Sequence, residues 1–146
     1  MKLQKDLREF IGLLNSTKIK YLLVGGHAVA HHGFPRFTGD IDFFIEATRE
    51  NLELMQAVLR DFGFPSLGQS LLESSPGTLI QLGRPPNRID LLTAIDGVGF
   101  DEAWITKEAA MLDGLEVPLI SKKLLIRNKK STGRPKDLED VRQLGA

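Results

Sequence analysis

The chain has 146 residues, no cysteine, and 19 basic against 19 acidic side chains. That length suits one domain, 1–146, large enough for a real core but too short for a separate substrate domain. With 42% hydrophobic and 26% charged residues it reads as an ordinary globular protein; disulfides and thiolate metal sites are excluded, no apolar run nears the roughly 20 residues of a membrane span, and residues 1–6 lack the apolar stretch of a secretion signal, so no membrane association and cytoplasmic residence are expected.

Leu3, Leu7, Phe10, Ile11 and Leu14 recur at helical spacing, which predicts an amphipathic helix over 2–15. Residues 20–24 read as a short strand, continuously apolar from Tyr21 to Val24, the pattern of a strand in a sheet covered by helices, and Gly25-Gly26 ends it. A short helix over 27–32 follows. Pro35 pushes Phe34 toward an extended backbone and opens a loop before a second strand that carries Asp40-Ile41-Asp42. Leu52, Met55, Leu59 and Phe62 predict a helix over 49–62, closed by Gly63.

Residues 63–78, rich in Pro, Gly and Ser, read as loop with a helical turn at Leu71-Leu72. Strand-like runs at 78–82 and 88–93 flank a turn-forming connection and predict antiparallel neighbours, with Asp90 inside the second run. Asp113-Gly114, flanked by Met111-Leu112 and by residues 115–120, predicts a two-residue hairpin. Ser121 is placed to cap a helix through Lys130, and residues 133–135 break the chain before a last helix over 136–144. Over residues 121–146 eight lysines and arginines stand against three acidic residues. Such a run is either a solvated helix pair or a positive wall facing phosphates.

The carboxylates carry the chemistry. On a strand, residues i and i+2 project from one face about 6–7 Å apart at the backbone, so Asp40 and Asp42 can converge on shared cations while Ile41 points into the core. Asp90 lies between Ile89 and Leu91, a poor setting for a surface residue, and can add a third oxygen ligand from a neighbouring strand. Mg²⁺ takes hard oxygen ligands at about 2.0–2.1 Å and keeps water and substrate phosphate in its shell. Three carboxylates next to a diglycine corner therefore point to a metal-bound nucleoside triphosphate. His27 and His31 share a helix face, but neither an intervening Glu nor a third ligand supports a zinc site, and the three histidines read as helix surface and loop anchors. Arg36 suits a phosphate contact better than a loop salt bridge, because a guanidinium fork matches phosphate. Trp104 reads as core rather than a base-stacking platform.

Leu23-Val24-Gly25-Gly26, thirteen residues, Asp40-Ile41-Asp42 and a later Asp90 resemble the pattern of the DNA polymerase beta-like nucleotidyltransferase superfamily. The wider string Gly25-Gly26-His27-Ala28, His32-Gly33, Arg36, Thr38 and Asp40-Ile41-Asp42 is similar to its small bacterial branch, which includes minimal nucleotidyltransferases of toxin-antitoxin pairs and lincosamide-type antibiotic nucleotidyltransferases. The tail, Lys129-Lys130, Gly133-Arg134-Pro135-Lys136-Asp137 and Asp140, looks like the end of that branch, so the resemblance runs from about residue 20 to 143.

The resemblance implies an α/β fold, a mixed β-sheet flanked by helices, and Mg²⁺-dependent transfer of a nucleoside monophosphate from an NTP, foremost ATP, to an acceptor hydroxyl with release of pyrophosphate. Asp40 and Asp42 would bind two metal ions, and Asp90 would complete the site and act as general base. Gly25 and Gly26 would receive the triphosphate, where glycine lets phosphate approach the backbone and a helix start offers free N–H groups. Arg36, Thr38, Lys129 and Lys130 would help to bind the nucleotide, with one lysine reaching the triphosphate. Many members of the superfamily carry Ser where this chain has Gly26, which removes a hydroxyl contact to phosphate. Larger members add a helical domain for the acceptor. Its absence within these 146 residues directs the acceptor, whether protein, RNA or small molecule, to a homodimer or a partner such as a helical toxin. A non-catalytic antitoxin-like role and a metal-dependent phosphoesterase are the alternative readings.

Overall fold

Tyr21–Val24 forms strand β1 with all four side chains buried, and every other element is arranged around it. A computed structural model describes residues 4–73 and 77–145. Leu3, in the predicted first helix, and residues 74–76, in the predicted loop, lie outside the described residues. Helix α1 (Lys5–Asn15) precedes β1, and α2 (Gly25–His31) follows it directly. Then come β2 (Asp40–Ile45), α3 (Arg49–Asp61), α4 (Pro65–Leu72), β3 (Leu79–Leu82), β4 (Arg88–Leu92), α5 (Phe100–Ile105), β5 (Glu108–Leu112), β6 (Leu115–Leu119), α6 (Lys122–Thr132) and α7 (Pro135–Gln143).

The strands make one mixed sheet in the order β3-β4-β2-β1-β6-β5. The local pairs β3–β4 and β5–β6 are antiparallel, as is β1–β2, whereas β2–β4 and β1–β6 run parallel. Asp113 (φ 49°) and Gly114 (φ 81°) are both left-handed, as the tight turn between β5 and β6 demands. The β2–β4 pairing is the one that matters for the site, because a parallel neighbour 48 residues away in sequence sets Asp42 directly beside Asp90.

The alternation of β2 divides the molecule. Ile41, Phe43 and Ile45 face the layer of α1 and α3, where Phe10 packs on Phe43 at 6.1 Å between ring centroids and on Phe62 at 5.0 Å. Fully burying one such ring contributes about 1.5–3 kcal/mol, so this layer anchors the strand in register. Asp40, Asp42 and Phe44 face the other side, where Phe44 is covered edge-on by Phe100 of α5 at 5.0 Å. A one-residue slip would bury the aspartates among the phenylalanines, and burial therefore specifies the register that presents them.

Two elements differ from the sequence reading. Residues 65–72 are a helix, started by Pro65 at its first position, whose Gly68 comes so close to α3 that a Cβ there would lie 3.1 Å from the Gln56 carbonyl oxygen. Tertiary packing on α3 outweighs the Gly/Ser/Pro composition that suggested loop. Helix α5 was not anticipated, since six residues give no legible period; its start is held by the Gly99 N–H donating to the Glu102 carboxylate at 3.1 Å. Ser121 caps α6 as expected, accepting from the Leu124 N–H at 3.3 Å. No helix among the described residues is long and apolar enough to cross a membrane.

Candidate active site

Register and strand alternation build the site. Asp42 on β2 pairs with Asp90 on β4, Asp40 pairs with Arg88, and Gln81 on β3 continues the row past Asp90. Asp40, Asp42 and Asp90 each offer a carboxylate oxygen within 4.8 Å of the others, the only such acidic or histidine cluster among the described residues. They open on a cleft of about 430 Å³ whose floor is the sheet and whose wall includes Asn128, Lys129, Thr132, Arg134 and Asp137.

Three acids so close cannot all ionise freely. Burial, then the charge and hydrogen bonding of Asp40 and of Asp90, push Asp42 up to about 8. Burial also raises Asp40, but hydrogen bonds with Asp42, Asp90 and Thr38 and the charge of Arg88 outweigh it and hold that carboxyl below the usual range. Asp90 is raised, by burial first, although Arg88 opposes the shift. At neutral pH the metal-free cluster keeps a proton on Asp42, the member raised by both of the other two carboxylates. Three convergent carboxylates are a hard-oxygen donor set that suits Mg²⁺ or Mn²⁺ and not a thiophilic metal.

Arg88, which the sequence reading passed over, is the resident cation of this cluster. Its Nε donates to Asp90 Oδ1 at 2.9 Å, and its Nη2 donates to Asp40 Oδ2 and Asp90 Oδ2, each at 3.2 Å. The signal was available: Arg88 stands two residues before Asp90 on the same strand, so the alternation that pairs Asp40 with Asp42 also sets Arg88 on the carboxylate face.

The two glycines divide their work. Gly25 lines the cleft at φ +70°, and a Cβ there would lie 2.9 Å from Asp42 Cγ and closer still to its Oδ2. Its missing side chain is the space the Asp42 carboxylate occupies. Gly25→Ala is accordingly expected to cost about 2–4 kcal/mol through left-handed strain and overpacking, measured as the shift of the urea midpoint at unchanged slope, and to displace Asp42. Gly26 is buried beneath Thr38 and Arg36: a Cβ would lie 3.1 Å from Thr38 Oγ1 and 3.3 Å from Arg36 Nη2. A larger residue at 26 is crowded by those two side chains, which gives the glycine a packing role. Thr38 Oγ1 donates to the Asp40 carbonyl at 2.9 Å and approaches Asp40 Oδ1 at 3.1 Å, steadying the first carboxylate.

The basic residues separate. Lys129 lines the cleft but is buried, with Nζ 2.9 Å from Asp137 Oδ1 and 3.2 Å from Asp140 Oδ2. Arg36 Nη2 donates to Asp140 Oδ2 at 3.0 Å and is not among the residues lining the cleft, and neither is Lys130, which is exposed on α6. Arg134 lines the cleft with its Nε 2.7 Å from Asp137 Oδ2. Lys129 thus joins α6 to α7, and Arg36 joins the loop that leads into β2 to Asp140 of α7. His32 Nε2 lies 2.8 Å from the Ile120 carbonyl oxygen, a loop anchor as anticipated, and Trp104 stacks on Phe100 outside the cleft, with Lys107 over its ring.

Comparison with known proteins agrees with this architecture. Residues 3–146 match a family described as nucleotidyl transferase of unknown function (DUF2204). Two solved structures share the fold: a Thermotoga maritima protein described as a nucleotidyltransferase (TM-score 0.62, 17% identity, covering 94% of this chain and 88% of the other) and the lincosamide antibiotic adenylyltransferase LnuA bound to lincomycin (TM-score 0.58, 18% identity, covering 99% and 97%). A search of the curated proteins finds no match.

Proposed function

The chain belongs to the DUF2204 nucleotidyl transferases, and on that premise we propose that it moves a nucleoside monophosphate from a Mg²⁺-bound NTP, ATP foremost, to an acceptor hydroxyl and releases pyrophosphate. The observation that carries the reading is the convergence of Asp40, Asp42 and Asp90 from two parallel strands beside the Gly25 corner of an open cleft.

Asp40 and Asp42 would hold the divalent ions and Asp90 would complete their shell; bound there, the ions would neutralise charge on the phosphates during in-line displacement. The protein's own contributions can be stated residue by residue. Asp90, 6% exposed and beside Gln81, faces the part of the cleft where an acceptor hydroxyl can enter, and its carboxylate would take the hydroxyl proton. Arg88, tied to both outer carboxylates, positions them and keeps them from repelling each other while no other cation is present. Arg134, with its side chain 73% exposed at the rim, is the cation best placed to turn toward a triphosphate, because Lys129 and Thr132 would still hold the buried Asp137 carboxylate if the guanidinium swung away.

The test is transfer of label from an α-labelled triphosphate to an acceptor in a cell extract. Label recovered in an acceptor, dependent on Mg²⁺ and abolished by EDTA, supports the reading. Release of free nucleotide or phosphate with no labelled acceptor would indicate a phosphoesterase, and stable binding of a co-purifying protein without incorporation would indicate a non-catalytic partner.

Metal binding supplies an independent check. A cation must displace the Asp42 proton, so affinity for Mn²⁺ is expected to rise about tenfold per pH unit between pH 6 and 8 and to level off above the Asp42 value of about 8. Titration calorimetry in buffers of different ionisation enthalpy reads the released proton directly. An affinity that is flat over that window would count against the triad as the binding site.

A further inference from the structure

The cleft is chemically uneven. Across its floor run a polar row, Asp42, Asp90 and Gln81 on β2, β4 and β3, and one pleat farther on a row formed by Phe44, Leu92 and Leu79. Phe100 covers Phe44. Leu79, on the edge strand β3, is 49% exposed, and with Leu92, Ala94 and Ile95 it leaves an open apolar surface next to Asp90.

The charges are uneven too. Three cationic side chains line the cleft, and each is already engaged: Arg88 with Asp40 and Asp90, Lys129 with Asp137 and Asp140, Arg134 with Asp137. Five carboxylates face them, those of Asp40, Asp42, Asp90, Asp96 and Asp137. Exposed Lys122, Lys123, Lys130 and Lys136 form no ion pair among the described residues, but they stand outside the lining. At the β3–β4 end the one cation among the described lining residues is Arg88, already held by Asp40 and Asp90, whereas binding a nucleic-acid strand requires lysines or arginines along its backbone. What that end does offer is the neutral amide of Gln81, which makes no hydrogen bond among the described residues, and apolar area.

Resting on the transferase reading, we propose that the β3–β4 end is the acceptor subsite and that the acceptor is an uncharged or cationic hydroxyl compound with an apolar face, not a nucleic acid. Leu79, Leu92 and Ile95 receive the apolar face, and Gln81 hydrogen-bonds the hydroxyl beside Asp90. In the transfer, the hydroxyl oxygen forms a bond to the α-phosphorus and its proton passes to Asp90. The bond from that phosphorus to the bridging oxygen breaks, and pyrophosphate leaves with the electron pair.

The experiment has three arms on the full chain. Equilibrium dialysis with labelled ATP and Mg²⁺ tests the donor half alone. Fluorescence anisotropy with a fluorescein-labelled single-stranded RNA at low salt is expected to show no binding that Leu79→Asp weakens, and Leu79→Lys is expected to gain at least about tenfold in RNA affinity. In the extract assay the labelled product is expected to survive nuclease digestion, its yield to change less than about twofold between roughly 50 and 200 mM salt, and Leu79→Lys to raise the acceptor KM at least about fivefold with the ATP KM little changed. A nuclease-sensitive product, RNA binding by the wild type that Leu79→Asp weakens, or an acceptor KM untouched by Leu79→Lys overturns the proposal. Loss of Mg-ATP binding together with all transfer overturns the parent reading instead, and the dialysis arm distinguishes that outcome.

Discussion

Asp42→Asn is expected to lower nucleotidyl transfer by roughly 10³-fold or more while making the metal-free protein more stable at neutral pH. Both effects follow from one cause. Asp42 lies against Asp40 and Asp90 and behind Gly25, and its carboxyl is pushed up to about 8 by burial and by those two neighbours. A carboxyl whose folded-state value exceeds its unfolded value supports the fold fully only below the unfolded value, near 4. That support is lost as pH climbs toward 8, because folding must then either retain a proton the solvent would take or bury a third charge. Asparagine fills the same volume with no charge to bury. A gain of about 1–2 kcal/mol at pH 7 follows, roughly 3–8 °C in Tm for a domain of this size. The checks are calorimetric melts in EDTA at pH 5 and pH 7.5, with the wild type falling between them and the variant nearly flat, beside the label-transfer assay. Retained transfer in Asp42→Asn would remove the triad from the chemistry. A variant less stable than wild type at pH 7.5 would show that the carboxylates are a structural network.

Lys129→Met is expected to cost about 3–5 kcal/mol of stability. The ammonium is buried between Asp137 and Asp140, which are 3% and 1% exposed, and removing it leaves two enclosed carboxylates with only Thr132, Arg134 and Arg36 to satisfy them. Burial by itself would raise Asp137, but Thr132, Lys129 and Arg134 more than compensate and hold it at about 2. The group therefore contributes stability that is present above the ordinary value near 4 and is lost as pH falls toward 2. Without Lys129 that loss should begin at higher pH. Urea unfolding at pH 7 gives the first effect and acid unfolding followed by circular dichroism the second. If Lys129 served mainly as a triphosphate ligand, the urea midpoint would stay unchanged and the KM for ATP would rise; the observed burial argues for the structural outcome.

These two residues show where legibility in the sequence stopped. The period-2 rule was enough to set Asp40 and Asp42 on one face, and apolar neighbours on both sides of Asp90 were enough to suggest a strand. The strand that carries Gly25 onward into a helix was equally plain, as were the β5–β6 turn and the Ser121 cap, since each depends on local chemistry over a few residues. Arg88 could have been found by that period-2 rule. What no local rule could supply was the fate of the basic tail. Lys129, Lys130, Arg134 and Lys136 are alike as a charge run, yet the first is buried in a carboxylate pair, the third sits at the cleft rim, and the others are exposed outside it. Helix α4 was lost for a related reason: Gly68, unfavourable in an isolated helix, is tolerated because it lets α4 approach α3.

From the sequence alone came the α/β layering, the superfamily pattern and the three aspartates, because strand alternation, glycine corners and apolar periodicity act over distances a few residues long. Only the tertiary structure decided that β4 lies parallel to β2, that Gly25 yields its space to Asp42, and which cations face the cleft. Those outcomes depend on contacts between segments far apart in the chain, where burial and paired charge, and not local preference, choose the partner.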